Sequence, residues 1–537
     1  MRVTPDALPP PREADVVIVG AGLSGTVMAA ELAAAGKRVV LLERGRQWDP
    51  QDYRGPHDDW EAAATGPWNP SPNRRKLPED YPIDDSGAEM KPLLFNGVGG
   101  STVLYGAHWM RLLPSDFRRR TLDGVGDDWP IGYGELAPFY DRVDRDFGVS
   151  GIAGDPAFPA RPDYPMPPLP IGEIGETVAA AHARLGWHWW PGSNAIASRP
   201  WRGRRPCVLR SACGEGCSEG AKASVDRTHL PAAVAAGARL VTGARVVQIE
   251  TDASGRASGV VWRDATGVRH RLRAAKVVLA ANALGSARLL LGSGAAGLAN
   301  RSGLVGRRLM MHPFTRVAGL FDRPMGASQG AWGQALYSME FAEADPASGR
   351  PHGAKWNLGP SGGPLHAALF PWPGGPPIGA ELHERVAVWL DRAALWGITV
   401  DDPPDPENRV QLDAGAPVEG DDLPGLRLTY RIPADCREVL AFNAARARES
   451  FEAAGAVETI ALPLAEDYGW HLLGTCRMGD DPETSVVDRW GEAHDHPGLF
   501  IADSSVFVTG GSVNPAATVA ALSLRTAVQI LSGRNGR

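Results

Sequence analysis

Three glycines near the N-terminus have the spacing of a nucleotide-binding motif. Gly20, Gly22 and Gly25 form a G-x-G-x-x-G pattern that follows the apolar run Val16–Val19, and Glu43 lies eighteen residues after Gly25. The glycines allow a tight turn, a close approach of backbone to a pyrophosphate, and close packing of helix on strand. The start of the helix attracts the phosphates, and Glu43 can accept hydrogen bonds from ribose hydroxyls. The alternative is a plain glycine turn, but the surrounding βαβ pattern favours a dinucleotide site.

Two further segments offer places where a cofactor could lie against the chain. The stretch Phe95–Thr102 holds three glycines and therefore a second stretch of bare backbone. Near the C-terminus, a helix is predicted from Pro515 to about Leu531, because proline suits the first helical position. The first motif by itself does not separate NAD from FAD.

With these three segments, the chain resembles the glucose–methanol–choline (GMC) oxidoreductases, and most closely the members that oxidise sugars, sugar acids and aminosugars. The resemblance is weak across Phe314–Leu462, where substrate specificity would lie. It runs through Val16–Gly45, Gly97–Phe117, Arg245–Val247, Val277–Gly294, Gly303–Pro313 and His471–Arg525.

The resemblance implies FAD as the cofactor and a set of residues that hold it. The C-terminal helix would point its positive N-terminal end at the flavin and stabilise the reduced, anionic ring. Leu104 stands where some members attach FAD covalently to a histidine, so non-covalent FAD is expected. The expected cofactor residues are Gly20, Gly22, Leu23, Ser24, Gly25, Glu43, Arg44, Gly97, Gly99, Gly100, Ser101, Val246, Ala280, Asp503, Asn514, Pro515 and Thr518.

His471 and Asn514 are the catalytic pair that the resemblance implies, because the residues flanking both match the family. Oxidising an alcohol requires a base for the hydroxyl proton, a group that orients the oxygen, and a hydride acceptor, here flavin N5. Imidazole suits the first task near neutral pH, and an amide suits the second. Each residue alone has an ordinary alternative, a packed histidine and an asparagine in a turn.

Cys207, Cys213 and Cys217 could converge on one metal centre, since thiolates at short spacings do so. The spacing is similar to that of family members in which three cysteines hold a three-iron cluster that relays electrons from flavin. Buried thiols without metal, or a cysteine pair with one further thiol, are the alternative. Cys436 and Cys476 are expected to be small packing residues.

The predicted fold class is α/β (α+β), with a discontinuous Rossmann-like FAD-binding domain and a substrate domain built on an antiparallel sheet. Single strands are expected over Leu240–Ile249 and Val277–Ala281, and an amphipathic helix over Glu438–Ala454. The FAD-binding domain is predicted to comprise 1–50, 91–150, 205–320 and 463–537, and the substrate domain 151–204 and 321–462. The proline-rich stretch 51–90 is expected to be a lid or surface excursion.

The overall composition indicates a small-molecule enzyme. The chain has 537 residues, 55 Lys+Arg against 62 Asp+Glu and a net charge of −7, with both signs dispersed. No basic stripe indicates nucleic acid, and no apolar run indicates direct membrane insertion. Met1–Ala14 lacks the apolar core of a signal peptide, and five cysteines make no disulfide framework, so a cytoplasmic protein is expected.

Three functions remain open from the sequence. The first is an FAD-dependent dehydrogenase of a hydroxyl in a sugar, polyol or aminoglycoside-like substrate, with a non-oxygen electron acceptor or redox partner. The second is an oxidase that uses dioxygen and releases hydrogen peroxide. The third is a lyase that retains FAD and uses His471 as a base.

Overall fold

A computed structural model describes residues 9–53, 60–345, 347, 349–416, 421–462 and 464–533. Parts of the predicted domain ranges therefore lie outside the described residues: 1–8, 54–59, 346, 348, 417–420, 463 and 534–537. The strands are β1 (Glu13–Val19), β2 (Val39–Glu43), β3 (Ile83–Ala88), β4 (Trp190–Pro191), β5 (Arg239–Thr242), β6 (Arg245–Thr251), β7 (Ala257–Arg263), β8 (Arg269–Leu279), β9 (Phe314–Leu320), β10 (Leu336–Ser338), β11 (Ala354–Gly359), β12 (Ala393–Val400), β13 (Arg409–Asp413), β14 (Gly425–Tyr430), β15 (Glu458–Ala461) and β16 (Leu499–Ile501).

The helices include short single turns as well as the long packing helices. They are α1 (Leu23–Ala34), α2 (Pro72–Arg75), α3 (Arg119–Asp123), α4 (Tyr133–Phe147), α5 (Gly172–Leu185), α6 (His229–Ala235), α7 (Asn282–Gly292), α8 (Pro364–Ala368), α9 (Ala380–Arg392), α10 (Ala434–Ala453) and α11 (Ala516–Ser532). Within the part of the chain described, no helix combines the length and apolar character needed to cross a bilayer.

The first sheet has the strand order β5-β2-β1-β8-β7-β6, and β16 adds to β8. The strands β5, β2, β1, β8 and β16 run parallel to their neighbours, so their carboxyl ends meet at one edge of the sheet. Strand β1 is almost wholly buried because helices cover a parallel sheet on both faces. Helix α1 packs against α11 and α6. Ligands bind at this edge in open α/β sheets.

The predicted single strand Leu240–Ile249 is wrong, because the structure divides it between opposite edges of the first sheet. Strand β5 pairs with β2 at one edge, whereas β6 pairs with β7 at the other. Between them, Gly243 adopts a φ of +65°, a left-handed conformation that turns the chain out of the strand. The apolar pattern continues through the turn, so periodicity alone cannot show the break.

The second sheet is antiparallel, as predicted, with the order β15-β9-β12-β11-β10-β4. All eight residues of β12 are buried, and α10 packs against β9, β12 and β15. Helix α10 buries Leu440, Ala447 and Phe451, and it begins four residues before the predicted Glu438. The mixed α/β class is therefore confirmed.

Two elements differ from the expected division into domains. Strand β9, which the sequence placed at the end of an FAD-binding range, pairs with β12 inside the antiparallel sheet. Strand β3, within the predicted excursion 51–90, pairs with β14, which also pairs with β13 in a third sheet. The remaining domain boundaries stay predictions.

Candidate functional site

A cavity of about 500 Å³ opens at the carboxyl ends of the parallel strands and extends to the antiparallel sheet. This volume is typical of small-molecule and cofactor sites. His471 lies on its wall, together with most of the expected cofactor residues. Those lining it are Gly20, Gly22, Leu23, Ser24, Glu43, Arg44, Gly97, Gly100, Ser101, Val246, Ala280, Asp503, Asn514 and Pro515.

The first glycine motif forms the turn between β1 and α1. Gly20 has a φ of +105°, and a Cβ atom there would come within 2.4 Å of the carbonyl oxygen of Ala280. A Cβ on Gly25 would come within 2.0 Å of the carbonyl oxygen of Gly20. Both positions therefore require glycine. Gly22, at the start of α1, lines the cavity and presents bare backbone to it.

The second glycine cluster packs directly against the first. A Cβ on Gly100 would lie 2.9 Å from the Cα atom of Gly22, and the Gly99 amide donates to the carbonyl of Ala21 over 2.9 Å. Gly99 and Gly100 also have positive φ values, +97° and +53°. The two clusters thus form one continuous backbone surface that a long cofactor can follow.

Glu43 is held rigidly at the end of β2. Its two carboxylate oxygens accept hydrogen bonds from the amides of Ala21 (2.9 Å) and Gly45 (2.8 Å). Burial raises the pKa of Glu43, and these two hydrogen bonds oppose that rise. The side chain is 5% exposed and lines the cavity, where it can still accept from a sugar hydroxyl.

Asp503 and Arg44 are two further ionisable residues on the cavity wall. One Asp503 oxygen accepts from Ser505, and the other accepts from the Ser286 hydroxyl at 2.5 Å. Arg44 donates through Nε to the Glu79 carbonyl, and its Nη2 atom lies 3.6 Å from an Asp421 oxygen, within ion-pair distance but without a hydrogen bond. A donor on the cavity wall that lacks a hydrogen bond fits an anionic or polar ligand.

Three expected cofactor residues do not line the cavity. Gly25 and Gly99 serve the packing of the two glycine segments. The Thr518 hydroxyl lies in α11 and shares a 2.7 Å hydrogen bond with the Tyr140 hydroxyl. A helix turns neighbouring side chains by about 100° per residue, so only part of its first turn can face the cavity.

His471 and Asn514, which are 43 residues apart in the chain, meet on the cavity wall. The Nε2 atom of His471 lies 3.3 Å from Nδ2 of Asn514. Asn514 directly precedes Pro515 and α11, so the amide lies at the positive end of that helix. The pair predicted from the flanking residues is thus adjacent in space.

Three residues that the sequence did not predict complete this cluster. The Nδ1 atom of His312 lies 2.9 Å from Nδ1 of His471. Lys355 contacts two residues of the cluster. Its Nζ atom lies 3.1 Å from Oδ1 of Asn514 and 3.4 Å from Nδ1 of His108. The polar alternation of Lys355 and Asn357 along β11 was a signal for a polar face, whereas nothing local indicated His108.

Burial lowers the pKa values of the basic groups in this cluster. It lowers the pKa of His471 well below 6.5, with further lowering by His312, His108 and Lys355. Burial likewise lowers the pKa of His312 to about 4, and that of Lys355 well below its ordinary value. His471 is therefore neutral at physiological pH, the state that a base requires.

The three cysteines lie close to the cavity but are not preformed as a single-ion site. Gly214 and Glu215, between Cys213 and Cys217, line the cavity. Burial raises the pKa of Cys213 to about 12. The three sulfurs do not all lie within 4.8 Å of one another. Among the described residues, only His352, Asp435 and Cys436 meet that condition.

The arrangement fits FAD on structural grounds. Glycines that cannot carry a Cβ, a fixed carboxylate at the end of β2, and the N-termini of α1 and α11 all border one cavity. These are the features that a dinucleotide with two phosphates and a ribose requires.

Comparison with known proteins agrees with this geometry. Residues 176–314 and 404–523 match the GMC oxidoreductase family, and residues 18–48 match an NAD(P)-binding Rossmann-like domain. A 2-methyl-1,2-propanediol dehydrogenase of Mycolicibacterium austroafricanum is 38% identical, covering 96% of this chain and 94% of the relative. The fructose dehydrogenase large subunit of Gluconobacter japonicus is 31% identical, covering 97% and 98%.

An oxidase is also similar. The paromamine 6'-oxidase of Streptomyces fradiae is 31% identical, with 96% of this chain and 90% of the relative covered. The solved structure of pyridoxine 4-oxidase from Mesorbium loti superimposes with a TM-score of 0.67 at 20% identity, covering 97% of this chain and 100% of the other. The chain is therefore a member of the GMC oxidoreductases, a family of FAD-binding enzymes that act on alcohols and sugars.

Proposed function

We propose that this protein is an FAD-dependent dehydrogenase that oxidises one hydroxyl of a diol, sugar or other polyol to a carbonyl. The observation that carries the proposal is the adjacency of His471 and Asn514, 3.3 Å apart, on the wall of the cavity that the glycine motif also lines. A base and an amide donor thus face the space where a cofactor would lie. Bound FAD would supply the acceptor for the hydride.

The two residues divide the work on the substrate hydroxyl. The Nε2 atom of His471 accepts its proton, because the ring is neutral at physiological pH. The Nδ2 group of Asn514 donates a hydrogen bond to the alcohol oxygen and holds it beside Nε2. Once His471 is protonated, its Nδ1 proton can move towards Nδ1 of His312, 2.9 Å away.

The relatives support a substrate with more than one hydroxyl. By their names, they act on 2-methyl-1,2-propanediol, fructose and the aminosugar paromamine. These compounds share neighbouring polar groups beside the alcohol carbon. We therefore extend the proposal to vicinal diols, sugars and aminosugars as the substrate class.

Anaerobic bleaching of the flavin by 2-methyl-1,2-propanediol, fructose and paromamine tests the function. Bleaching by at least one of them is expected, since reduced flavin loses its visible absorbance. A lyase would leave the flavin oxidised with every substrate, and that result would contradict the proposal. Hydrogen peroxide formed as fast as a dye is reduced would instead select the oxidase, which one of the relatives is by name.

We also propose that Cys207, Cys213 and Cys217 hold an iron–sulfur cluster that receives the electrons. The support is their position, because Gly214 and Glu215 of the same segment line the cavity. A polynuclear cluster places iron and sulfide between the thiolates and so tolerates a wider spacing than one ion does. About three irons per chain are expected after anaerobic purification, and fewer than about one would contradict the cluster.

FAD should be bound to this protein without a covalent link. Leu104 is 2% exposed, lines the cavity and offers no nucleophile for a covalent bond to flavin. Acid precipitation of the protein should therefore leave the flavin in the supernatant, measured by absorbance of both fractions. Flavin that stays with the precipitate would show a covalent link.

The rate of flavin reduction should depend on pH through His471. The pKa of His471 lies well below 6.5, so its neutral, proton-accepting form persists to lower pH than that of an exposed histidine. The anaerobic reduction rate, followed by stopped-flow absorbance, should stay level as pH falls from 8 to 6.5 and decline only below that. A half-maximal rate above pH 6.5 would contradict His471 as a base with a lowered pKa.

A further inference from the structure

Lys355 is a fully buried lysine beside the catalytic pair. It lies on β11, and strand alternation places it on the same side as Asn357 and Gly359, which line the cavity. Among the described residues, no carboxylate lies within ion-pair distance of its Nζ atom. Burial of an amino group without a counter-ion is costly, so a compensating role is expected at this position.

The hydrogen bonds of Lys355 determine which way the Asn514 amide points. The two ends of an amide have nearly the same shape, so their orientation depends on their partners. Both the charged and the neutral amino group can donate, and Nζ of Lys355 donates to Oδ1 of Asn514 over 3.1 Å. With Oδ1 held by this hydrogen bond, Nδ2 turns towards Nε2 of His471.

The orientation of the Asn514 amide also fixes which nitrogens of His471 and His312 carry protons. Because Nδ2 of Asn514 is a donor, Nε2 of His471 must be an acceptor, and the neutral ring then carries its proton on Nδ1. His471 donates through Nδ1 to Nδ1 of His312, 2.9 Å away, and His312 holds its own proton on Nε2. The result is a one-way chain of hydrogen bonds that starts at Lys355.

We propose that Lys355 is a positioning residue that orients the Asn514 amide and thereby keeps Nε2 of His471 unprotonated and facing the substrate. The proposal rests on the proposed function. Without Lys355, the amide can turn by half a rotation and present Oδ1 to His471. That contact favours a proton on Nε2, the nitrogen that should accept one, and the base is then in the wrong tautomer.

A double-mutant cycle tests this role. Lys355→Met removes every donor at similar length, and it should slow anaerobic flavin reduction by about 10- to 100-fold, a smaller loss than a fully wrong tautomer causes. In an Asn514→Ala background there is no amide to orient. The same substitution should then cost less than about 3-fold, because the two effects share one path.

A binding measurement gives a readout that does not depend on turnover. Pinacol, a vicinal diol whose carbinol carbons bear no hydrogen, cannot be oxidised to a carbonyl but can bind through its hydroxyls. Its dissociation constant, measured from the shift in flavin absorbance, should rise several-fold in Lys355→Met. In the Asn514→Ala background the same change should leave the constant within the scatter of the measurement.

The possible outcomes separate the role of Lys355 from its alternatives. Equal losses in both backgrounds would show that Lys355 only supports the fold, and would overturn the proposal. If Lys355→Met loses its flavin, Lys355→Gln takes its place, since its amide can still donate. Any loss of rate in Lys355→Gln should be smaller in the Asn514→Ala background, and equal losses in both backgrounds would again overturn the proposal. Wild-type flavin that no diol or sugar bleaches would instead contradict the proposed function itself.

Discussion

Replacing His471 by alanine should slow anaerobic flavin reduction by about 10²- to 10⁴-fold, the usual contribution of a general base. The imidazole is the group that lies beside Nδ2 of Asn514 and can accept a proton, and alanine removes it without adding bulk. The FAD content should remain near one per chain, because the glycine clusters and Glu43 do not depend on this side chain. Stopped-flow absorbance with 2-methyl-1,2-propanediol or fructose measures the rate, and the visible spectrum measures the flavin.

His494→Ala provides the matched control for that experiment. His494 follows His471 in the same C-terminal segment, but its Nε2 contacts the Ser485 hydroxyl at 2.8 Å and it does not line the cavity. The control should reduce its flavin at nearly the wild-type rate. If His471→Ala stays within about 10-fold of wild type, or if the two variants lose activity equally, His471 is not the base.

Replacing Gly25 by alanine should abolish most FAD binding. The added Cβ would lie 2.0 Å from the carbonyl oxygen of Gly20 and 3.1 Å from Cγ2 of Ile18. Because the nearest atom belongs to the backbone, α1 must move away from β1, and the phosphate-binding turn opens. We expect less than about a tenth of the wild-type FAD per chain, measured from the absorbance ratio of flavin to protein, and a lower unfolding temperature.

Gly134→Ala is the control for adding one methyl group. Gly134 lies in α4, and a Cβ there would meet no heavy atom within 4 Å. Alanine is the better helix former, so the unfolding temperature should stay the same or rise slightly while FAD content is unchanged. One FAD per chain in Gly25→Ala would show that the turn tolerates a side chain and that our account of the motif is wrong.

Local patterns in the sequence were sufficient for the cofactor turn. The glycine spacing, the strand before it and Glu43 after it all report geometry within one βαβ unit. Such geometry is set by backbone sterics over a few residues, and residue types record it directly. The helix at the C-terminus was predicted for the same reason, whereas the antiparallel sheet was predicted from the scattered apolar runs and Gly/Pro turns of residues 321–462.

Where a local pattern permits two arrangements, one prediction is wrong and one expected cofactor residue points its side chain away from the cavity. The run Leu240–Ile249 has the composition of one strand, yet the turn at Gly243 sends its halves to opposite edges of the sheet. Thr518 follows the start of α11 closely, but the phase of the helix directs its hydroxyl to Tyr140 and away from the cavity. Only packing against the rest of the molecule chooses between such solutions.

The nucleotide-binding turn, His471 and Asn514 could be predicted from the sequence, because the residues that flank them are informative. The contact between the two side chains, and the presence of Lys355, His312 and His108 beside them, follow from the folded chain. These residues are far apart in the sequence, so no local pattern records their contact. Lys355 on β11 and Asn514 in the loop before α11 lie 159 residues apart, and their contact forms only when these two segments border the same cavity.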